Sequence, residues 1–192
     1  MRLCIFCGSS TGLNPAFATA ARALGAALAA RQIGLVYGGG NVGLMGNLAD
    51  ATLEAGGEVT GVIPHALVAR EIAHEGVTHQ HVVNSMHERK AMMAELADGF
   101  IAMPGGFGTL EEFCEAVTWT QLGVHLKPCG LLNVDGFYDA LLAFFAHALE
   151  QQFLRPTHGE IVIAECDPVR LLDRVCAWRP PTVTRWIAAD ET

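Results

Sequence analysis

The sequence is poor in the features that mark several large classes of protein. It has two lysines among 192 residues and a formal net charge of −8, so a nucleic-acid surface is not expected. No apolar run approaches the roughly 20 residues of a membrane span, and the first residues lead directly into an apolar strand rather than a signal peptide. Gly-Lys-Ser/Thr does not occur, which argues against a P-loop NTPase. We therefore expect a cytoplasmic protein that contacts neither membrane nor nucleic acid.

The six cysteines do not suggest a disulfide framework, because most lie in apolar segments that suit buried, reduced thiols. Cys4 and Cys7 form Cys-x-x-Cys, but residues three apart on a strand point to opposite faces and would not easily share a metal. His79 and His81 would share a strand face, yet zinc takes three or four ligands and no third is evident. We expect neither a metal nor a cofactor.

Short apolar runs alternate with helical patterns along the chain, and this predicts an α/β fold. Seven strands are expected, at 3–7, 33–37, 58–63, 78–83, 100–103, 128–133 and 161–164. Asn14-Pro15 is typical of a helix start, and Ser85 with Glu88 matches a capping box. The conformation of 65–76 stays open. We predict one Rossmann-like domain over residues 1–180, a doubly wound parallel sheet flanked by helices, followed by a loosely held tail at 181–192.

Four polar or glycine-rich segments each follow a predicted strand. They are Ser9-Ser10 and residues 38–46, 85–90 and 105–112. Ligands of such sheets bind beyond the carboxyl ends of the strands, so these segments should gather into one site.

The stretch 98–123 has the order strand, glycine loop, helix. The loop is Pro104 to Gly108, and helical spacing resumes at Leu110. The first amides of a helix favour a phosphate, and Glu111-Glu112 in the first turn could stabilise a ribosyl cation. The alternative is that Thr109 to Glu112 is a capping box, which would explain Glu112 without chemistry.

Two further motifs have both a functional and a structural interpretation. Gly38-x-Gly40-x-x-Gly43 matches the dinucleotide fingerprint, but Ile63-Pro64 stands where the ribose-binding acid is expected, so a tight turn with close helix packing is the alternative. Arg89-Lys90 suits contact with a phosphate or with Glu112, or otherwise a solvated helix face.

Four segments together resemble the Lonely Guy family of cytokinin-activating phosphoribohydrolases. They are 85–90, 104–112, 118–123 and 130–136, with Met-His-x-Arg-Lys and Pro-Gly-Gly-x-Gly-Thr-x-x-Glu as the specific signature. The likeness runs from about residue 4 to 169. It implies hydrolysis of the N-glycosidic bond of AMP, often N6-isoprenoid AMP, to free base and ribose 5-phosphate by a homodimer without a redox cofactor.

By position, the resemblance implies that Arg89 and Glu112 are catalytic. The residues expected to bind the nucleotide, some implied by the resemblance and others by the loops, are Ser9, Gly39, Gly40, Glu71, Lys90, Gly105, Gly106, Phe107, Gly108, Thr109, Leu110, Glu111 and Thr118. On an ideal helix Thr118 lies in line with Glu111 rather than with Glu112. We therefore expect Thr118 to act at the edge of the site or in the site of the partner subunit.

Two alternatives to hydrolysis are lysine decarboxylation and nucleotide binding without chemistry. Relatives are often labelled lysine decarboxylases, but a pyridoxal phosphate enzyme needs a Schiff-base lysine, and Lys90 and Lys127 lie in no recognisable cofactor motif. A nucleotide-binding carrier or sensor without chemistry has the same fold. The choice between AMP and its N6-prenylated form depends on side chains such as Met86, Met92 and Phe107, whose directions the sequence leaves open.

Overall fold

A computed structural model describes residues 1–68 and 72–180. The strands are β1 Arg2–Phe6, β2 Gly34–Tyr37, β3 Val59–Pro64, β4 His79–Val83, β5 Gly99–Ala102, β6 Cys129–Leu132 and β7 Val162–Glu165. The α-helices are α1 Pro15–Ala30, α2 Gly43–Glu54, α3 His65–Val68, α4 Met86–Leu96, α5 Phe107–Leu122, α6 Asp139–Glu150 and α7 Pro168–Ala177. The predicted tail at 181–192 and the site residue Glu71 lie outside the described residues.

The seven strands form one parallel sheet in the order β4-β3-β2-β1-β5-β6-β7. This confirms the predicted Rossmann-like α/β fold. The chain builds outward from β1 to β4, then crosses back so that β5 pairs with the other side of β1. The direction of winding therefore changes between β1 and β5, and the loops after these strands diverge to leave a crevice.

A buried apolar layer covers each face of the sheet. On one face, Leu3 and Ile5 of β1 belong to the same core cluster as Leu24 of α1 and Leu171 of α7. On the other face, Cys4 and Phe6 of β1 belong to a cluster with residues of α4 and α5. Burial on both faces explains why the strands appear in the sequence as short, nearly continuous apolar runs.

The predicted helix starts are confirmed at α1 and α4. The Asn14 side chain accepts a hydrogen bond from the Ala16 amide at 2.9 Å, and Ser85 Oγ accepts one from the Glu88 amide at 3.1 Å. Glu88 does not reach back to Ser85 itself. Its carboxylate accepts from the amide of Asn84, one residue earlier, at 2.8 Å.

Helix α5 begins three residues earlier than its apolar spacing predicts. Gly106 is the N-cap and Phe107 the first helical residue, with no side-chain hydrogen bond to the cap. Thr109 is therefore inside the first turn, and the proposed capping box from Thr109 to Glu112 is wrong. Glu111 and Glu112 lie in the second turn rather than the first, so capping does not account for Glu112.

The segment left open at 65–76 contains α3 and a stretch that contacts the glycine-rich loop after β2. The Asn41 amide donates to the Ile72 carbonyl at 2.9 Å, and the His74 amide donates to the Gly39 carbonyl at 3.0 Å. His74 is buried, with Nε2 3.0 Å from Asp50 Oδ1. Within residues 1–68 and 72–180, no helix has both the length and the apolar character needed to cross a bilayer.

Candidate functional site at the β1–β5 crevice

A cavity of about 350 Å³ opens at the carboxyl ends of β1, β2 and β5. This volume is in the range of small-ligand sites. The lining combines the ends of strands with the first residues of helices: Ile5, Phe6, Cys7, Gly8, Ser9, Gly38, Met45, Leu67, Met86, Arg89, Met93, Gly106, Phe107, Gly108, Thr109 and Glu112. The segments that follow the first, second, fourth and fifth strands therefore do converge, as the strand order requires.

Arg89 is the buried cation of this cavity, with 5% of its surface exposed. Its Nε donates to the Val62 carbonyl at 3.2 Å, and Nη2 donates to the Gly38 carbonyl at 2.8 Å. Val62 lies within β3, and Gly38 directly follows the last residue of β2. Two backbone carbonyls therefore fix the guanidinium of a residue that lines the cavity.

Glu112 lines the same cavity from α5 and lies close to the end of β1. Burial raises the pKa of the Cys7 thiol, and the Glu112 carboxylate raises it further. At Cys4 burial again acts first, with Glu112 raising the pKa and Arg89 lowering it. The two charged residues predicted to be catalytic thus influence the same buried thiol and border one cavity.

The amino terminus of α5 forms another wall. The first hydrogen bond within the helix runs from the Leu110 amide to the Gly106 carbonyl at 3.2 Å, so the amides of Phe107, Gly108 and Thr109 precede it. Such amides carry partial positive charge and suit an anion. Ser9 lines the cavity beside them from the β1–α1 loop.

The glycine-rich loop after β2, in the segment 38–46, is mostly packed into the protein. Gly39 and Gly40 are buried and do not line the cavity, and the Gly39 carbonyl accepts from Gln80 Nε2 at 3.2 Å. Gly43 has a φ of +60°, and a side chain there would collide with the backbone of Ser9. This loop matches the tight-turn interpretation, and of its glycines only Gly38 lines the cavity.

Several other predicted binding residues also lie outside the cavity. Lys90 donates from Nζ to Glu111 Oε1 at 2.5 Å, on the outer side of α4 and α5. Leu110 packs against the core, and Gly105 lies beneath the Thr109 side chain. Thr118 lines a separate groove between α5 and α6.

Sequence reasoning missed part of the lining. Cys7, Gly38 and Met45 were not among the residues named for nucleotide binding, although Cys7 ends a predicted strand and Gly38 directly follows one. Position at the carboxyl end of a central strand was therefore a usable signal for these two. Met45 was indicated only as part of the 38–46 segment, and Leu67 lies in α3, within the segment whose conformation the sequence left open.

The fold and this cavity define an open-sheet α/β protein with a small-molecule site at the point where the strand order reverses. A family described as "Possible lysine decarboxylase" matches residues 45–175. A probable cytokinin riboside 5′-monophosphate phosphoribohydrolase of Oryza sativa subsp. japonica is 49% identical over 179 residues, which cover 93% of this chain and 79% of that protein. A cytokinin riboside 5′-monophosphate phosphoribohydrolase of Arabidopsis thaliana is 51% identical over 163 residues, covering 85% and 76%. The chain belongs to this family, the Lonely Guy family, as its motifs predicted.

Solved structures with the same fold are more distant in sequence. The molybdenum cofactor binding protein of Rippkaea orientalis superposes with a TM-score of 0.69 at 22% identity, covering 92% of this chain and 95% of that one. The molybdenum cofactor carrier protein of Chlamydomonas reinhardtii gives 0.70 at 19% identity, covering 92% and 98%. At these identities the likeness concerns the fold alone.

Proposed function

We propose that the protein hydrolyses the N-glycosidic bond of AMP or of N6-substituted AMP, releasing the free base and ribose 5-phosphate. The observation that carries the proposal is that Arg89 and Glu112 border one cavity with the amino terminus of α5. Relatives about half identical in sequence are named for this reaction on cytokinin nucleotides. In this reaction water adds its hydroxide to C1′ and its proton ends on the departing base.

The 5′-phosphate binds at the amino terminus of α5 in this proposal. The amides of Phe107, Gly108 and Thr109 and the hydroxyl of Ser9 provide neutral donors there. Lys90 does not serve as a phosphate-binding cation in this proposal, because its Nζ donates to Glu111 and Glu115. The phosphate is therefore bound by neutral donors. The phosphate then fixes the ribose near Glu112.

Glu112 stabilises the cationic sugar that develops as the base departs, and it orients the attacking water. Arg89 positions Glu112 and keeps it ionised, because a nearby cation favours the charged carboxylate. The two carbonyl contacts of Arg89 hold the guanidinium in place before substrate binds. Such preorganisation removes the cost of ordering a long side chain during the reaction.

Apolar side chains provide space for the base. Met45, Leu67, Met86 and Met93 line the cavity, and Phe107 stands at its mouth with 94% of its surface exposed. A flat purine with an apolar N6 substituent matches such a wall better than a sugar or a carboxylic acid would. These contacts favour the N6-prenylated nucleotide over plain AMP.

Lysine decarboxylation is poorly supported, despite the description of the matching family. The two lysines of the sequence do not line the cavity. Lys90 pairs with Glu111 and Glu115, and Lys127 Nζ donates to the Ala94 carbonyl at 2.7 Å. A Schiff-base lysine would have to reach the ligand site.

Product analysis tests the proposed function. Purified protein is incubated with AMP, isopentenyladenosine monophosphate, the two nucleosides and other nucleoside monophosphates, and free base and ribose 5-phosphate are quantified separately. We expect both products in equal amounts from the adenine monophosphates only. Tight binding of AMP without release of adenine would instead support a carrier or sensor.

We further propose that the protein is a homodimer joined through α5 and α6. Helix α6 is strongly apolar yet has no buried residue, and Phe144 keeps 62% of its surface exposed. A groove of about 320 Å³ between α5 and α6 contains Thr118. A second copy on this face would cover the apolar surface and bring Thr118 toward the partner's site.

Sedimentation velocity tests the dimer. Wild-type protein should sediment as a dimer, and Phe144→Glu should shift it toward monomer. Leu13→Glu is the matched control, because Leu13 is fully exposed on the β1–α1 loop, away from this face. A wild-type monomer at assay concentration, or equal effects of both variants, would contradict the proposed interface.

A cytoplasmic location is also proposed. The described chain includes six free cysteines, of which Cys4 and Cys129 are buried. Reduced thiols in this number fit a reducing compartment. Thiol titration of protein purified from its native cells without reductant would show six free thiols if the proposal is correct.

A further inference from the structure

One of the four segments that resemble the Lonely Guy family, 130–136, lies outside the candidate cavity. It includes most of β6 and a tight turn at 134–136, in which Asp135 has a φ of +51° and Gly136 a φ of +72°. Tyr138 follows two residues after this turn and contacts the end of β5, where the glycine loop that leads into α5 begins. The segment therefore lies next to the proposed phosphate site without being part of it.

The hydroxyl of Tyr138 makes a buried hydrogen bond to the backbone at the end of β5. It donates to the carbonyl oxygen of Met103 at 2.6 Å, and the two residues are 2% and 0% exposed. Burial raises the pKa of Tyr138, with Cys7 and Cys114 adding to the shift, so the hydroxyl stays protonated and remains a donor. The contact therefore does not depend on pH near neutrality.

The Met103 carbonyl needs this partner because the strand ladder changes register beside it. The Met103 amide donates to the Phe6 carbonyl at 2.8 Å, as in a regular parallel pair. A regular continuation of the ladder would bring the Gly8 amide to the Met103 carbonyl. The Gly8 amide instead donates to the Pro104 carbonyl at 3.0 Å. Tyr138 thus provides a donor for a buried carbonyl that has left the ladder.

The position of Met103 determines where α5 begins. Three residues, 104–106, separate Met103 from the first residue of the helix. Gly105 is closely packed, because a Cβ there would collide with the Thr109 side chain and would lie 3.0 Å from the Gly8 amide nitrogen. A loop this short and this closely packed transmits a movement of Met103 to the first amides of α5.

Tyr138 is itself held by its surroundings. The Asn133 side chain accepts from the Tyr138 amide at 2.7 Å and donates to Asp139 Oδ1 at 2.7 Å. The Tyr138 side chain belongs to the core cluster that includes β5, and its ring meets that of Phe137 edge-on with centroids 4.9 Å apart. The hydroxyl therefore has a fixed position relative to the sheet.

We propose that Tyr138 is a positioning residue for the phosphate, which holds the Met103 carbonyl out of the β1–β5 ladder and thereby directs the amino terminus of α5 toward the crevice. Tyr138 lies outside the cavity and acts through the loop. The inference rests on the proposed function, in which the 5′-phosphate binds at this amino terminus. Without the hydroxyl, the Met103 carbonyl can regain a partner by taking the Gly8 amide, and the loop then shifts by one residue against β1.

Tyr138→Phe removes the hydroxyl and keeps the ring in the core. Phosphate is bound in the substrate and in the transition state alike, so we expect KM for AMP to rise about tenfold and kcat to stay within about threefold. The inhibition constant of ribose 5-phosphate should rise by about the same factor as KM, and that of adenine should stay at the wild-type value. A loss of stability alone would not distinguish the phosphate-bearing ligand from the base.

Thr120→Val is the matched control. Thr120 lies at the other end of α5, is fully buried, and donates from its hydroxyl to the Lys127 carbonyl at 3.1 Å. This variant also removes a buried hydroxyl that binds a backbone carbonyl, so it should lower the melting temperature while KM for AMP stays at the wild-type value. Asn133→Ala removes the acceptor of the Tyr138 amide and should raise KM for AMP, which keeps the test available if Tyr138→Phe does not fold.

The outcomes separate this inference from the proposed function. If wild-type protein binds AMP but releases no adenine, the proposed function fails, and the AMP affinities of wild type and Tyr138→Phe, measured by calorimetry, still test the role of Tyr138. Wild-type AMP affinity in folded Tyr138→Phe, or a fall in kcat without a rise in KM, would overturn that role. Equal weakening of ribose 5-phosphate and adenine, or the same rise in KM in Thr120→Val, would also overturn it.

Discussion

Nη2 of Arg89 lies 2.8 Å from the carbonyl oxygen of Gly38, in the space that a side chain on Gly38 would occupy. The guanidinium reaches this position because the residue that follows β2 has no Cβ. A buried arginine of the cavity thus depends on a glycine 51 residues earlier in the chain. This dependence can be tested without altering any charged group.

Gly38→Ala should lower kcat/KM for base release by about tenfold or more, equivalent to about 1.4 kcal/mol of transition-state stabilisation. The added methyl would overlap Nη2 and would lie 3.3 Å from Met45 Sδ, so Arg89 must move. Gly106→Ala is the matched comparison, because a Cβ there meets no atom within 4 Å. It should raise KM by crowding the phosphate, while its melting temperature remains that of wild type. Identical kinetics of Gly38→Ala and wild type would contradict the role given to Arg89.

Substrate preference should depend on two exposed apolar residues at the mouth of the cavity. Met86 is 44% exposed and Phe107 94% exposed, so neither is needed to complete the core. We expect Met86→Ser or Phe107→Ser to reduce kcat/KM for isopentenyladenosine monophosphate by about tenfold and for AMP far less. Equal losses on both substrates would show that these side chains contact the shared part of the nucleotide.

His125 predicts a pH dependence of stability that is separate from catalysis. Burial lowers its pKa to about 4, with Lys127 adding to the shift, and its ring stacks on Phe100 with centroids 5.2 Å apart. The unfolded chain would bind a proton near pH 6.5, whereas the folded protein binds it near pH 4. Stability should therefore be constant above about pH 6.5 and should fall as pH drops toward 4.

The comparison of wild type with His125→Asn isolates this contribution. Other ionisable groups contribute equally to both proteins and cancel in the difference. The melting temperature of wild type minus that of the variant should shrink between pH 7 and pH 4. A difference that stays constant over this range would show that His125 is not the group responsible.

The fold was predictable from the sequence because the apolar pattern and the helix-capping residues indicated the same strands and helices. Apolar runs of strand length alternate with helical segments, and residues such as Asn14 and Ser85 mark helix starts by their side chains. The start of α5 was not predictable in this way. Gly106 caps the helix without a side chain, and Phe107-Gly108 looks like loop, so the predicted helix began at Leu110.

The site was only partly predictable for a similar physical reason. Parallel strands bring Ser9, Arg89 and the 106–112 segment to one edge of the sheet, and the sequence predicts that convergence because each segment follows a predicted strand. Which of two adjacent residues faces the cavity depends on helix phase and packing, and these separate Arg89 from Lys90 and Glu112 from Glu111. A glycine-rich loop is likewise ambiguous, because Gly39 and Gly40 are used for packing rather than for contact with the cavity.

The most direct test of the account is the release of base by Glu112→Gln from isopentenyladenosine monophosphate under single-turnover conditions. Glutamine keeps the size of the side chain but cannot provide the negative charge that stabilises the sugar cation. The account predicts a rate at least about a hundredfold below wild type, with nucleotide affinity and melting temperature nearly unchanged. Release at the wild-type rate would contradict the central role of the Glu112 carboxylate.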